Sequence, residues 1–220
     1  FGDIHGNLEA LETVIEAMRH EGVERFLCLG DVVGYGANPS ECIARVRELD
    51  PVIVAGNHDL AAIGMLDISA FNPFAREAVL WCRGVLGPED VAFLAHPNLV
   101  EIVNDDVTIF HASLALPEQF GYIQSPEEAA QSFAFLKTRA GFFGHSHVPA
   151  AFHKSKRRIE LVPCSGLSVE AGASLLVNPG SVGQPRDGDA RAAFAVYDAE
   201  KGAVSCHRVA YDVERAQAKI

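Results

Sequence analysis

The sequence predicts a single α/β domain, and three observations support this prediction. Helical and strand-like patterns alternate from the start of the chain to Ala55, and strand-like segments crowd its second half. Hydrophobic residues at 49% and charged residues at 21% are typical of a globular protein with a real core. The length of 220 residues fits one large domain or one domain with an insert, and no linker or internal repeat divides it. We therefore assign residues 1–220 to one domain.

The first elements alternate between helix and strand. Apolar residues recur at helical spacing after Asn7, a residue type that caps helices, and predict a helix over Leu8–His20. Short apolar runs at Phe26–Leu29 and Val52–Ala55 predict strands, with a helix over Pro39–Leu49 between them. This alternation indicates parallel strands with helical crossovers, in which functional groups gather beyond the carboxyl ends of the strands.

A helical insert interrupts this pattern at residues 60–97. Pro73–Trp81 and Pro88–Ala95 are predicted as helices, with Gly84 and Gly87 as breaks. We interpret the insert as a small cap. Beyond it, apolar runs predict eight strands between Leu99 and Val209.

Charge, hydropathy and cysteine usage narrow the class of protein and its partners. The chain has 18 basic and 29 acidic residues, and the resulting net charge of −11 disfavours duplex nucleic acid as a partner. The longest uncharged run, Ala171–Pro185, is too short and too rich in glycine to span a membrane. The five cysteines are widely spaced without a CxxC pair, which favours reduced thiols in a cytoplasmic protein. Because the chain begins at Phe1, we expect a truncated first strand. Nothing in the sequence indicates an oligomeric state.

Five polar clusters follow strand-like segments: Asp3–Asn7, Gly30–Asp31, Gly56–Asp59, Phe110–His111 and Gly144–His147. Asp, Asn and His at buried strand ends need hydrogen-bonding or metal partners that offset their desolvation. The pairs Asp3 and His5, and His145 and His147, are each two residues apart, so each pair can aim at adjacent points. The pattern therefore indicates two neighbouring metal ions.

The order of these clusters resembles the calcineurin-like metallophosphoesterases. The family pattern D-x-H, G-D, G-N-H-[DE], H and G-H-x-H is complete between Asp3 and His147, and Asn178–Gly183 is similar to a stretch of small bacterial members. The resemblance implies two mixed β-sheets packed face to face and flanked by helices, a four-layer sandwich with the cap at residues 60–97.

The resemblance also implies the metal ligands. One ion would be held by Asp3, His5, Asp31 and His147, and the other by Asp31, Asn57, His111 and His145, so that Asp31 bridges the two. Imidazole, carboxylate and amide ligands without thiolate favour two divalent transition-metal ions, Mn, Fe, Zn, Co or Ni, over calcium or magnesium.

His58 is the expected catalytic residue, because in the family this histidine protonates the leaving oxygen. We expect Asp59 to help orient its ring. The sequence departs from the serine/threonine protein phosphatases, whose G-D-x-x-D-R-G has an acid and an arginine that Gly30–Gly36 lacks. Arg186 could reach a phosphate or decorate a turn, and Tyr35 could stack on a substrate base or cover the core.

The expected activity is hydrolysis of a phosphoester by a metal-bridging hydroxide. A phosphodiester or nucleotide is the first choice of substrate, and a phosphomonoester or phosphoprotein is the alternative. A third hypothesis is a non-catalytic interaction scaffold that binds metal. Members of that kind have lost metal ligands or the catalytic histidine, whereas this chain retains all of them.

Overall fold

The computed structural model describes residues 1–220 and contains eleven strands and seven α-helices. The strands are β1 Leu27–Cys28, β2 Val52–Ile53, β3 Val100–Val103, β4 Val107–Phe110, β5 Ala140–Phe142, β6 Ala150–Ser155, β7 Arg158–Val162, β8 Leu167–Ser168, β9 Ala173–Asn178, β10 Ala192–Asp198 and β11 Ala203–Val209. The helices are α1 Leu8–His20, α2 Pro39–Leu49, α3 Asn57–Ala62, α4 Pro73–Val85, α5 Pro88–Ala95, α6 Pro126–Phe133 and α7 Val213–Gln217, with a short 3-10 helix at Pro117–Gln119.

One layer of the molecule is a six-stranded mixed sheet with the strand order β3-β4-β5-β9-β6-β7. Strands β4, β5 and β9 run parallel to one another, while β3, β6 and β7 pair antiparallel with their neighbours.

The second layer joins the parallel pair β1-β2 to the antiparallel sheet β10-β11-β8. Two segments outside the strands, residues 1–3 and 181–183, connect them. The Leu29 N–H donates to the Phe1 carbonyl at 2.8 Å, and the Val182 N–H donates to the Gly2 carbonyl at 3.0 Å. The Ala193 N–H in β10 then donates to the Ser181 carbonyl at 3.0 Å, so the hydrogen bonding is continuous across this layer.

Three hydrophobic clusters define four layers. The cluster between the two sheets includes Val54, Ile109 and Val177. On the outer face of the second layer, α1 and α2 bury residues such as Ile15 and Ile43, and the same cluster contains residues of the cap. On the outer face of the six-stranded sheet, α6 buries Ala129 and Phe133. The predicted α/β fold class of two packed sheets flanked by helices is confirmed.

The helices show where local sequence signals were sufficient. Helices α1, α2 and α5 have the predicted bounds. The predicted break at Gly84 is wrong, because α4 continues to Val85; an interior glycine costs a helix only about 1 kcal/mol, and the buried face of α4 offsets it. Helix α6 was not predicted, although the Ser125 hydroxyl accepts from the Glu128 N–H and the Glu128 carboxylate accepts from the Ser125 N–H, a capping box.

Of the seven helices, none has both the length and the apolar character that a membrane crossing requires.

Candidate metal centre

The structure brings all seven predicted ligands to one site at the carboxyl ends of the strands. Asp31 follows β1, Asn57 follows β2, His111 follows β4, and His145 and His147 follow β5. The possible ligands form two groups, and within each group the donor atoms lie within 4.8 Å of one another. The first group is Asp3, His5, Asp31 and His147, and the second is Asp31, His111 and His145. The Asp31 carboxylate is therefore common to both groups.

The first group is compact around the Asp31 carboxylate. Nε2 of His5 lies 3.0 Å from Nε2 of His147 and 3.5 Å from Oδ2 of Asp31. Nε2 of His147 lies 3.7 Å from Oδ1 of Asp3. Four donor atoms thus converge on a space suited to one ion.

The second group lies on the other side of Asp31. Nε2 of His111 is 3.3 Å from Oδ2 of Asp31 and 3.2 Å from Oδ1 of Asn57. The amide of Asn57 therefore joins the carboxylate and imidazole groups as a further donor on this side.

Backbone carbonyls fix the orientation of three histidine rings. In each ring Nδ1 donates to a carbonyl: His5 to Val33 at 3.1 Å, His111 to Leu29 at 2.7 Å and His147 to Gln184 at 2.7 Å. Because a carbonyl only accepts, Nδ1 carries a hydrogen in each ring, and whenever the ring is neutral the lone pair of Nε2 faces the site.

Burial holds most of these rings neutral. It lowers the pKa of His5, and it lowers the pKa of His145 and of His147 to about 3. The neutral ring is the form that coordinates a metal.

The Asp3 carboxylate lacks enough positive charge around it to offset its burial. Burial and the neighbouring charge of Asp31 raise the pKa of Asp3 to about 7. Burial alone would lower the pKa of His111, but the Asp31 and Asp3 carboxylates outweigh it and raise that pKa to about 9. The site therefore attracts positive charge at the point where the donor atoms converge.

A cation fits this arrangement. The Nε2 atoms of His5 and His147 face each other at 3.0 Å, and each ring already carries its hydrogen on Nδ1. Two lone pairs at this distance repel unless a proton or a metal ion lies between them, and burial disfavours the protonated rings. The donor set of this chain thus suits a bound metal ion.

Five of the seven predicted ligands have a left-handed backbone, with φ between 50° and 67°: Asp3, His5, Asp31, His145 and His147. This conformation is rare outside glycine and costs about 1–3 kcal/mol per residue. Hydrogen bonds hold the strained loops, since the His145 N–H donates to the Asp3 carboxylate at 3.0 Å and the His5 N–H to the Asp31 carbonyl at 2.9 Å. The strained turns direct the side chains of these residues toward one site.

His58 lies beside the donor groups in the first turn of α3. Its ring packs against His5 at 4.8 Å, Tyr35 at 4.8 Å and Phe71 at 5.3 Å between centroids. Its Nδ1 is buried without a hydrogen-bond partner. Aromatic packing, and not a carboxylate, therefore positions the ring.

The expectation that Asp59 orients His58 is wrong. The Asp59 carboxylate accepts from the N–H groups of Val32 at 2.8 Å, Val33 at 3.1 Å and Gly56 at 3.2 Å. These bonds fasten the loop after Asp31 to the start of α3, because one side chain spans both. Asp59 thus supports the Asp31 backbone.

Gly34 is required by the position of His58. A Cβ on Gly34, whose φ is +100°, would lie 2.5 Å from Nδ1 of the confined His58 ring. Gly64 also has a positive φ, +80°, but a Cβ there meets nothing. We expect Gly64→Ala to cost about 1–2 kcal/mol of unfolding free energy from backbone strain, and Gly34→Ala to cost about 1–3 kcal/mol more from overpacking. Urea unfolding of both variants measures the difference, and equal losses would show that the ring moves aside freely.

Sequence patterns missed several contributors to the site. Phe71 comes from the cap, and Tyr122 stacks on the His145 ring at 4.3 Å between centroids with 49% of its surface exposed. Neither residue belongs to a recognised sequence motif. The backbone carbonyls that orient the histidine rings have no sequence signal, because every residue has a backbone carbonyl.

Comparisons with known proteins identify the family of this chain. The model of the calcineurin-like phosphoesterase superfamily domain matches residues 1–202. A protein of Methanocaldococcus jannaschii is 37% identical over 221 aligned residues, covering 99% of this chain and 89% of that protein.

Solved structures show the same fold. The crystal structure of a metallophosphoesterase from Sphaerobacter thermophilus superposes with a TM-score of 0.86 at 38% identity, covering 100% of this chain and 90% of that one. A hypothetical protein from Pyrococcus horikoshii superposes with a TM-score of 0.79 at 21% identity, with coverage of 100% and 90%. The complete motif set, the shared carboxylate and the match over most of its length together show that this chain belongs to the calcineurin-like phosphoesterase superfamily.

Proposed function

We propose that this protein is a dinuclear metal-dependent phosphoesterase that hydrolyses a phosphodiester or nucleotide. The observation that carries the proposal is the position of Asp31, whose carboxylate belongs to both groups of donor atoms. A carboxylate shared between two donor sets is the arrangement that two adjacent ions require.

The seven ligands divide between the two ions as the sequence motifs suggest. Asp3, His5 and His147 complete one set around Asp31, while Asn57, His111 and His145 complete the other. When bound, two such ions supply an activated water for attack on phosphorus and offset negative charge on the phosphate. The acidic chain, with a net charge of −11, then presents a locally positive site to an anionic substrate.

His58 supplies the proton for the leaving oxygen in this proposal. Its ring lies next to His5, so it adjoins the donor groups without belonging to them. Burial lowers its pKa, and an anionic phosphate beside the ring acts in the opposite direction. The substrate itself therefore favours the protonated ring that a general acid needs.

The aromatic rim supports a substrate with a planar group. Tyr35 and Phe71 lie around His58, and Tyr122 covers His145 on the other side with half of its surface exposed. An aromatic ring offers a stacking surface to a nucleobase, which is why we place nucleotides and their diesters before simple monoesters.

Removal and return of metal tests the proposal. After chelation, we expect Mn, Co or Ni to restore hydrolysis of mono- and diesters better than Mg, because four imidazoles favour borderline ions and Mg prefers oxygen ligands. Calcium should not restore it. Turnover and bound metal are measured together for each ion. Full recovery with Mg alone would contradict the ligand assignment, and metal binding without turnover of any ester would favour the interaction scaffold.

A further inference from the structure

Arg186 lies in a loop that is tied to the metal centre. Its backbone N–H donates to the His147 carbonyl at 3.2 Å. Gln184 in the same loop accepts from the His147 ring through its backbone and from Arg186 through its side chain, with Nη2 at 2.7 Å from Oε1. The guanidinium is therefore held by residues that also position a predicted ligand.

The guanidinium also packs against the Tyr35 ring at the edge of the site. Its central carbon is 5.8 Å from the centroid of the Tyr35 ring, and that ring packs against His5 and His58.

Arg186 has no acidic partner, although it lies in an acidic loop. Asp187 pairs with Arg208, and Asp189 pairs with Arg191 at 2.6 Å. The guanidinium bonds only to neutral oxygens of Gln184 and Tyr35, and Nη1 has no protein acceptor. An exposed guanidinium with free N–H groups beside a phosphoester site has the geometry that binds phosphate oxygens.

We propose that Arg186 binds a non-bridging oxygen of the substrate phosphate. It supplies, from a different loop, a cation that the Gly30–Gly36 segment lacks. This inference rests on the proposed function, since it concerns the same site. Tyr35 is then a positioning residue that supports the guanidinium rather than a part of the core.

The test uses two measurements on the metal-loaded protein. Calorimetry measures the affinity for inorganic phosphate, and a kinetic assay measures kcat/KM on a phosphoester. Arg186→Gln should weaken phosphate binding and lower kcat/KM by about tenfold to a hundredfold, the usual range for a hydrogen bond to a charged group. Arg186→Lys should recover part of the loss, because it keeps the charge without the planar fork. Arg191→Gln, in the same loop but paired with Asp189, is the matched control and should bind phosphate as the wild type does.

Metal content is measured for every variant. Wild-type phosphate affinity in Arg186→Gln would overturn the inference, as would absence of phosphate binding by the wild type. A loss of metal that accounts for the weaker binding would also overturn it and assign Arg186 to the support of His147. If phosphate binding depends on Arg186 but no ester is hydrolysed with any metal, the inference stands and the proposed function fails. If the wild type hydrolyses an ester and Arg186→Gln changes neither phosphate affinity nor kcat/KM, the proposed function stands and the inference on Arg186 fails.

Discussion

Asp31→Asn is expected to abolish hydrolysis and to remove more metal than any other single ligand substitution. The carboxylate lies in both donor groups, so its replacement weakens the binding of both ions at once. Loss of several kcal/mol of charge stabilisation corresponds to a fall in kcat of about a thousandfold or more. Elemental analysis and turnover, measured on the same preparation, check the two effects together.

The variant is nearly isosteric, which separates charge from folding. Oδ1 of Asp31 accepts the His58 N–H at 2.8 Å, and the asparagine oxygen can accept the same bond. Asn57→Ala serves as the matched control, because Asn57 belongs to one side only and should cost less metal. Two ions per chain and wild-type turnover in Asp31→Asn would refute the shared-ligand assignment.

His58→Ala is expected to keep its metal and to slow hydrolysis in proportion to the basicity of the leaving group. A general acid contributes about 10²- to 10⁴-fold when the departing oxygen is a basic alcohol, and far less when it departs as nitrophenolate. We therefore expect a large loss of kcat/KM on nucleotide esters and a small loss on nitrophenyl esters at equal metal loading.

The control for His58 is His96→Ala, since His96 is exposed at the end of α5, outside the site. It should leave both substrates unaffected. Equal losses on both esters in His58→Ala would point to phosphate binding as the role of the ring. No loss on either ester would remove His58 from the mechanism.

Local signals predicted much of the fold. Asn7 caps α1 through its side chain, which accepts the Ala10 N–H, and α1 has the predicted bounds because its apolar spacing and its cap agree. Strand β8 was missed because its residues, Leu167 and Ser168, do not lie in an apolar run like those that predicted β1 and β2. The continuity of the second layer also escaped prediction, because residues 181–183 bridge it mainly through backbone hydrogen bonds, which have no sequence signal.

The candidate site shows the same division. Its ligands were predicted because each carries a polar side chain at a strand end, and their role as ligands stays a prediction. The function of Asp59 was misjudged because adjacency to His58 in sequence was taken as contact. In the structure, the first turn of α3 directs the two side chains apart, and Asp59 reaches across 27 residues to Val32.

The left-handed backbone of the five ligand residues bears on how this protein evolves. At each of them glycine would relieve about 1–3 kcal/mol of backbone strain, but at Asp3 and Asp31 it would also remove the acceptors of the His145 and His58 N–H groups. Selection for the site therefore acts against stability at the histidine positions. A descendant released from that selection should drift to asparagine at the two aspartate positions, which keeps these hydrogen bonds, and to glycine at the histidine positions, while keeping its architecture. In such a lineage the loss of the ligands would precede any decay of the fold.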